Sequence, residues 1–389
     1  MRLNIEGEQL MKRIICTAIW AAAFLSAGLI FASRTAKPRN GNAQRAETAP
    51  PAAENVQEAE ASAQSQDAAQ ESPVPAPEQQ REKPRRGGEG RSMEREPIVP
   101  LDDALEAAAQ AEPVQLKQPE FITDDQVRLS GLYYKGNADE STIPVILLHK
   151  KEGKKEDWQE LAQSLAEKGI AVLVPDLRGH GESVTAFIED YSFGGEQPVI
   201  RQNQYNAQNF SPDDWDAMRS VDGHFWIRFL VYLHNKKMIN IRKLVLIGDG
   251  YGAAVAGSWL LEDWKAPSPK KGQFTRGLLM ISPDADPIFE KLGSGKTKAG
   301  KLTYKIYVGG LDKERLEAAE SIGLQLAKEK SSLEPEMRKV PVENCKTEKQ
   351  DMPLLKASAF HMPEQILQFV TEECQSDQEQ KWQAIKNFE

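Results

Sequence analysis

Between Phe121 and Glu373 apolar residues fall into short unbroken runs, and these alternate with stretches whose apolar residues recur at helical spacing. The runs "IPVILLH" (143 to 149), "IAVLVPD" (170 to 176), "KLVLI" (243 to 247) and "GLLMIS" (277 to 282) contain almost no polar break. Such runs predict strands buried on both faces, the habit of a parallel sheet. "LTYKIYVGG" (302 to 310) and "KVPVENC" (339 to 345) extend the series. Between them, Trp158, Leu161, Ala162 and Leu165 mark one helix, with Gly169 at its C-terminal end. Further helices are predicted over about 215–236, 253–263, 314–328 and 363–373. Ahead of this series, Val127, Leu129, Gly131 and Tyr133 alternate after a turn at Asp124 and Asp125, which predicts an opening hairpin. Strand, helix and strand in repeated order predict an α/β fold, a mostly parallel twisted sheet of about eight strands with right-handed crossovers.

The N-terminal third reads differently. Residues 14 to 32, "IICTAIWAAAFLSAGLIFA", carry no charge and are long enough to cross a hydrocarbon core as a helix. Lys12 and Arg13 precede them, so the stretch from Met11 onward reads as a signal anchor or a cleaved signal, and residues 1–13 as an N-terminal extension. The run exceeds a usual signal core and no A-x-A site follows it, which favours the anchor. Arg34, Lys37 and Arg39 follow the span, so the charge rule is divided on orientation; the extracytoplasmic side is preferred for the bulk of the chain. From Arg34 to Glu120 there is no Phe, Trp or Tyr, and Ala, Glu, Gln and Pro dominate. That composition cannot bury enough apolar surface to offset ordering entropy, so residues 33–120 are read as a disordered spacer, 121–375 as the globular domain and 376–389 as a tail.

Charge and cysteine content exclude some classes. A formal charge of −9 argues against a nucleic-acid binder, which needs a clustered positive face. Cys16, Cys345 and Cys374 lack the short spacing of a zinc or redox motif, and a Cys345–Cys374 pair is left open. Gly248, Gly250 and Gly252 follow a strand but lack the further spacing of a dinucleotide fingerprint, and no cofactor or metal site is expected.

The segment "VILLHKKEGKKEDWQELAQSLAEKGIAVLVPDLRGHGES" resembles the α/β hydrolases, in which His-Gly follows the third strand and D-x-R-G-x-G-x-S follows the fourth. Asp176, Arg178, Gly179, His180, Gly181 and Ser183 match the second pattern. The likeness runs from about Phe121 to Glu373. It is nearest to the serine aminopeptidase, monoglyceride lipase and dienelactone hydrolase branch, and to membrane-anchored bacterial relatives whose elbow has lost its serine.

The resemblance implies a catalytic triad, and the motif positions identify its equivalents. In "LVLIGDGYGAAVAG" Gly248 and Gly252 fill the small positions of the nucleophile elbow, which puts Gly250 at the nucleophile position. A slipped register with Asp249 as nucleophile would force Ile247 and Tyr251 into the small positions; Asp249 is instead expected to cap the next helix or meet solvent. Asp312, in Gly309-Gly310-Leu311-Asp312, stands where the acid belongs, and as an aspartate before a helix it also suits a cap. Aligning on Leu354 and Leu355 puts Gln350 at the histidine position and Asp351 at the following glycine. Glutamine has no usable proton equilibrium. His361 is the only histidine after Asp312 and reads as a surface or capping residue. Lys150 and Tyr251 hold the oxyanion-hole positions, and His149 and His180 read as structural. Ser258 and Ser282 with Asp284 are the other serines weighed, neither in a turn of the right kind. Residues 184–215 read as a lid or as an aromatic-anchored surface loop.

Two functions are therefore carried forward. One is a membrane-tethered, catalytically degenerate α/β-hydrolase-fold module that binds or scaffolds, with a small hydrophobic or peptide ligand and an unknown protein partner. The other is an active esterase or peptidase with displaced residues. A purely structural head on a spacer is the third possibility.

Overall fold

The computed structural model describes residues 100–117, 121–190, 199–266, 272–294, 302–329, 339–375, 381–386 and 388. The stretch 14–32, with the anchor or signal reading, and most of the spacer lie outside them. Among the described residues no helix is long and apolar enough to cross a membrane.

Strands β4 (Pro144–Leu148), β5 (Ala171–Pro175) and β8 (Leu244–Asp249) are buried at every position. Alternate side chains enter opposite layers: Leu244 and Leu246 join one apolar cluster, Val245 and Ile247 the other. Helices therefore have to cover both faces, and each fully buried Leu or Ile contributes about 1.5–3 kcal/mol. The remaining strands are β1 (Val114–Leu116), β2 (Val127–Arg128), β3 (Gly131–Tyr134), β6 (Thr185–Asp190), β7 (Val199–Gln204), β9 (Thr275–Ile281), β10 (Thr303–Val308) and β11 (Val342–Asn344). The large sheet has eight strands in the order β1-β3-β5-β4-β8-β9-β10-β11. Pairings from β5 through β11 are parallel, while β1 and β3 run antiparallel at one edge. This order, in which the chain adds β5 on one side of β4 and then crosses to add β8 on the other, is the α/β-hydrolase fold.

The helices are α1 (Leu101–Ala107), α2 (Gln159–Glu167), α3 (Pro212–Asn235), α4 (Tyr251–Lys265), α5 (Pro287–Gly293), α6 (Lys313–Glu329), α7 (Asp351–Leu355) and α8 (Met362–Gln368). Ser211 and Asp214 close a capping box on α3, with Pro212 in its first turn, so this helix starts a few residues before the apolar pattern shows it.

At both ends the packed domain extends past the bounds read from sequence. The domain begins before Phe121: β1 pairs with β3, Val114 against Tyr133, and Leu105 of α1 is buried. Both elements fall within the stretch read as spacer, because a three-residue strand carries too little pattern to stand out from an Ala-rich background. The tail also packs onto the domain. The Trp382 indole donates to the His234 carbonyl at 3.1 Å, the Ile385 N–H donates to Asn235 Oδ1 at 2.9 Å, and Ile385 is buried. Residues 184–215 hold the β6–β7 hairpin, which pairs with β2 in a separate three-stranded sheet, and Phe210 packs against Tyr205 and Trp215. Cys345 and Cys374 are both buried and are not joined to each other, so the disulfide left open by sequence is not formed.

Candidate functional site

The turn after β8 is built by close backbone approach. A Cβ on Gly248 would stand 2.4 Å from the Gly252 carbonyl oxygen, and one on Gly252 would stand 2.4 Å from the Leu148 carbonyl oxygen. Side chains at either position would push α4 off the sheet. Gly250 lies between the strand and the helix with φ 49° and ψ −120°, a region that L residues enter only under strain. Its N–H donates to the Ile281 carbonyl at 3.0 Å, and its own carbonyl accepts from Asp284 N–H at 3.4 Å.

The place above that Cα is closely walled. A Cβ there would meet Lys150 Cβ at 3.2 Å, Asp351 Oδ1 at 3.6 Å and Asp284 Oδ2 at 3.7 Å. Lys150 Nζ donates to Asp351 Oδ2 at 3.1 Å, and Arg315 Nη1 donates to Asp284 Oδ1 at 2.5 Å and to the Ser282 carbonyl at 3.1 Å. Tyr251 lines one flank, its hydroxyl accepting from Arg219 Nε at 3.2 Å, and Lys151 sits over the Tyr251 and Trp215 rings at 4.7 and 5.0 Å.

Gln350 is locked in place. Its Oε1 accepts from Ser282 Oγ at 2.7 Å and from the Gly309 N–H at 3.2 Å, and its Nε2 donates to the Gly309 carbonyl at 2.7 Å. Asp312 accepts from the Arg315 N–H at 3.1 Å, which caps the start of α6. No histidine ring is hydrogen-bonded to Asp312 among the described residues. His361 is exposed at the start of α8, in a left-handed conformation. His149 donates from Nδ1 to the Lys150 carbonyl at 2.7 Å and accepts the Leu177 N–H on Nε2 at 2.9 Å. Burial pushes its pKa down to about 4, so it is neutral at pH 7 and serves to hold two loops together. His180 bonds the Arg178 carbonyl through Nδ1 at 2.9 Å.

Neither other serine is placed to attack. Ser258 is buried in α4 and donates to the Ala254 carbonyl at 3.0 Å. Ser282 is fully buried at φ 45°, bonded to Gln350 and to the Asp351 N–H.

Asp249 departs from both expectations made for it. As the last residue of β8 it is 1% exposed, and neither carboxyl oxygen reaches a donor at hydrogen-bonding geometry. It neither caps α4 nor meets solvent. Burial is the main cause that pushes its pKa up to about 8, with Asp351 and Asp157 adding to the rise and the Lys150 ammonium and amide opposing it. Asp351, Asp284 and Arg315 complete this constellation. Sequence reading named Asp351 as the residue after the missing histidine and Asp284 beside Ser282, but had no signal for their convergence, since Lys150 and Asp351 are 201 positions apart.

The turn carrying Asp176 to Ser183 is fully paired. Asp176 accepts from the Lys155 N–H at 2.8 Å, Lys155 Nζ at 2.6 Å and the Glu182 N–H at 2.9 Å, and Ser183 Oγ donates to the Asp176 carbonyl at 3.0 Å. Arg178 forks between Asp222, at 2.6 and 3.1 Å, and Asp125. These residues shape the loop and touch no reacting group.

No protein-family model matches the chain, and no curated protein matches it. Solved structures do. The Pyrococcus furiosus esterase Pf2001 is 15% identical, with a TM-score of 0.43 over 67% of this chain and 91% of that one. A CIB-like hydrolase from Thermoplasma acidophilum is 11% identical, with a TM-score of 0.41 over 66% and 98%. Thermogutta terrifontis esterase 2 is 14% identical, with a TM-score of 0.39 over 61% and 83%. The fold assignment rests on the strand order and the tight strand-to-helix turn of this chain itself.

Proposed function

We propose that this chain is a membrane-tethered α/β-hydrolase-fold protein that binds a ligand or partner without covalent hydrolysis. The observation that carries the reading is Gly250, at the bend after β8 with φ 49° and no side chain to attack. A covalent acyl route needs a nucleophile and a base that takes its proton. Support for the absence of the base comes from Gln350, whose amide is bonded on both sides, and from Asp312, engaged with the start of α6. Lys150 and Tyr251 hold the oxyanion-equivalent places, and Lys150 is committed to Asp351 through its side chain. The tether rests on the uncharged stretch 14–32, and the spacer after it would hold the domain clear of the bilayer.

The decisive experiment treats the purified full chain with a fluorophosphonate probe and with p-nitrophenyl esters. No labelling and no turnover above buffer is expected, and Gly250→Ser is expected to stay unlabelled because Gln350 cannot take the proton. Labelling of the wild-type chain that disappears on replacing one serine would reinstate the hydrolase reading. Retention of the chain in the membrane after alkaline extraction tests the tether.

A further inference from the structure

We propose that the face of α3 carrying His224, His234 and Asn235 is a docking groove for an extended peptide segment spaced Trp-x-x-Ile-x-x-Phe. Residues 382–388 are its built-in occupant, exchangeable for such a segment presented by a protein partner. The groove uses no residue of the Gly250 turn, so the proposal goes beyond the non-hydrolytic reading and does not rest on it.

The tail is held as a bound peptide is held. Residues 381–386 form no helix or strand of their own. Asn235 pairs with them as a neighbouring strand would: its Nδ2 donates to the Ile385 carbonyl at 2.9 Å, and its Oδ1 accepts the Ile385 N–H at 2.9 Å. The His234 ring, 0% exposed, donates from Nε2 to the Gln383 carbonyl at 2.8 Å. Side chains of α3 thus read the main chain of an extended segment, the part of peptide recognition that gives affinity without selecting a sequence. Selectivity comes from three anchors. The Trp382 ring packs on the His234 imidazole at 5.1 Å, lies 5.1 Å from the Lys237 ammonium and donates its indole N–H to the His234 carbonyl at 3.1 Å. Ile385 is buried, and Phe388 stacks on His224 at 5.6 Å and meets Phe274 at 5.7 Å.

Two features mark this segment as a ligand and not as a part of the core. Lys381, Gln383, Ala384 and Lys386 between and beside the anchors are exposed, so the segment is fastened at every third residue and solvated elsewhere. A few anchors, a Trp among them, that hold an otherwise solvated stretch are the pattern of a linear recognition motif. The second feature lies on the helix. His234 is fully buried, and its Nε2 faces a tail carbonyl, so departure of the tail strands a polar group that the helix itself cannot satisfy. A buried polar group without a partner costs free energy, which favours refilling the groove with another extended segment over leaving it empty.

Fluorescence anisotropy of a labelled peptide of residues 381–389, KWQAIKNFE, tests this on the full chain. A full-length variant with Trp382→Ala and Ile385→Ala releases the tail and leaves the groove walls unchanged. It is expected to bind the peptide at least about tenfold more tightly than the wild-type chain, whose own tail competes at the high effective concentration of a tethered segment. Adding Asn235→Ala to that variant, or replacing the Trp and Ile of the peptide by Ala, should weaken binding about tenfold or more. Urea unfolding shows whether each variant is folded, and hydrogen exchange of the wild-type chain gives a reading that needs no substitution. There the Ile385 N–H is expected to exchange at least about tenfold faster than the amides of β8, because the tail opens without global unfolding. No binding of millimolar peptide by the folded variant, equal binding of the Ala-substituted peptide, equal affinity in the wild-type chain, or an Ile385 N–H that exchanges only together with β8 each overturns the groove. Wild-type dimers that form with rising concentration and vanish in Asn235→Ala would give the groove to the tail of a second copy and overturn the partner. Fluorophosphonate labelling, which decides the hydrolase question, bears on none of these outcomes.

Discussion

Two turns at the same edge of the sheet treat buried charge in opposite ways. After β5, Asp176 and Arg178 are 0% and 1% exposed, yet every charged atom finds a partner, in Lys155, Asp125 and Asp222. After β8, Asp249 is as deeply buried, and the Lys150 ammonium and amide that oppose its rise in pKa stand short of hydrogen-bonding geometry. A paired buried charge fixes a loop, and breaking it is costly because the partner is left stranded. An unpaired one makes the local structure depend on protons or on what binds. The contrast separates scaffold from site without reference to any relative.

The largest effect belongs to the paired turn. Arg178→Met strands Asp222, and is expected to lower stability by about 3–5 kcal/mol in urea unfolding. A loss under about 1 kcal/mol would show that the fork adds little and would erase the contrast.

The unpaired turn should appear as pH dependence. The folded pKa of Asp249, about 8, lies above the roughly 3.9 of an unfolded aspartate, so between these values the folded chain holds a proton that the unfolded chain lacks. Stability therefore falls as pH rises through this window and levels off above pH 8. The cleanest range is pH 6.5 to 8, above Asp222, which burial raises to about 6, and above histidines such as His149, whose lowered pKa values act in the opposite sense at lower pH. The slope there is at most about 1.4 kcal/mol per pH unit, or roughly 2 kcal/mol in all. Chemical denaturation at several pH values should show it in the wild-type chain and a flat line in Asp249→Asn. A wild-type chain with no slope would place an unseen partner on Asp249.

The smallest effect tests the join between the two loops behind the site. Ser282→Ala removes the donor to Gln350 Oε1 and the acceptor for the Asp351 N–H, and should cost about 1 kcal/mol. Urea unfolding of the variant beside the wild-type chain reads the loss. Unchanged stability would mean that α7 holds Asp351 without Ser282.

Much of the fold is legible along the chain because its central strands are covered on both faces. β4, β5, β8 and β9 appear as unbroken apolar runs for that reason, and α2 and α4 follow from helical spacing. β1, the β6–β7 hairpin and the tail contacts of Trp382 and Ile385 leave no such mark, since short edge strands and single anchoring residues carry no period. The bend at Gly250 is readable for a different reason: Gly248 is demanded by contact with Gly252 and Ala253 inside the turn itself, although Gly252 is demanded by the Leu148 and His149 carbonyls of the neighbouring strand end, so the short glycine spacing marks the turn while only the fold explains its second half.

The chain by itself determined the order of strands and helices, the glycine at the tightest bend, and the glutamine, Gln350, at the position where the motif has its histidine, because each depends on residues adjacent in sequence. Tertiary structure alone decided that Asp249 lies buried without a partner, that Asp351 and Asp284 converge over Gly250, and that Lys155 and Arg178 neutralise the neighbouring turn. Electrostatic environment is set by what folding brings within a few ångströms and by how much water it removes. Neither is written in the spacing of residues along the chain.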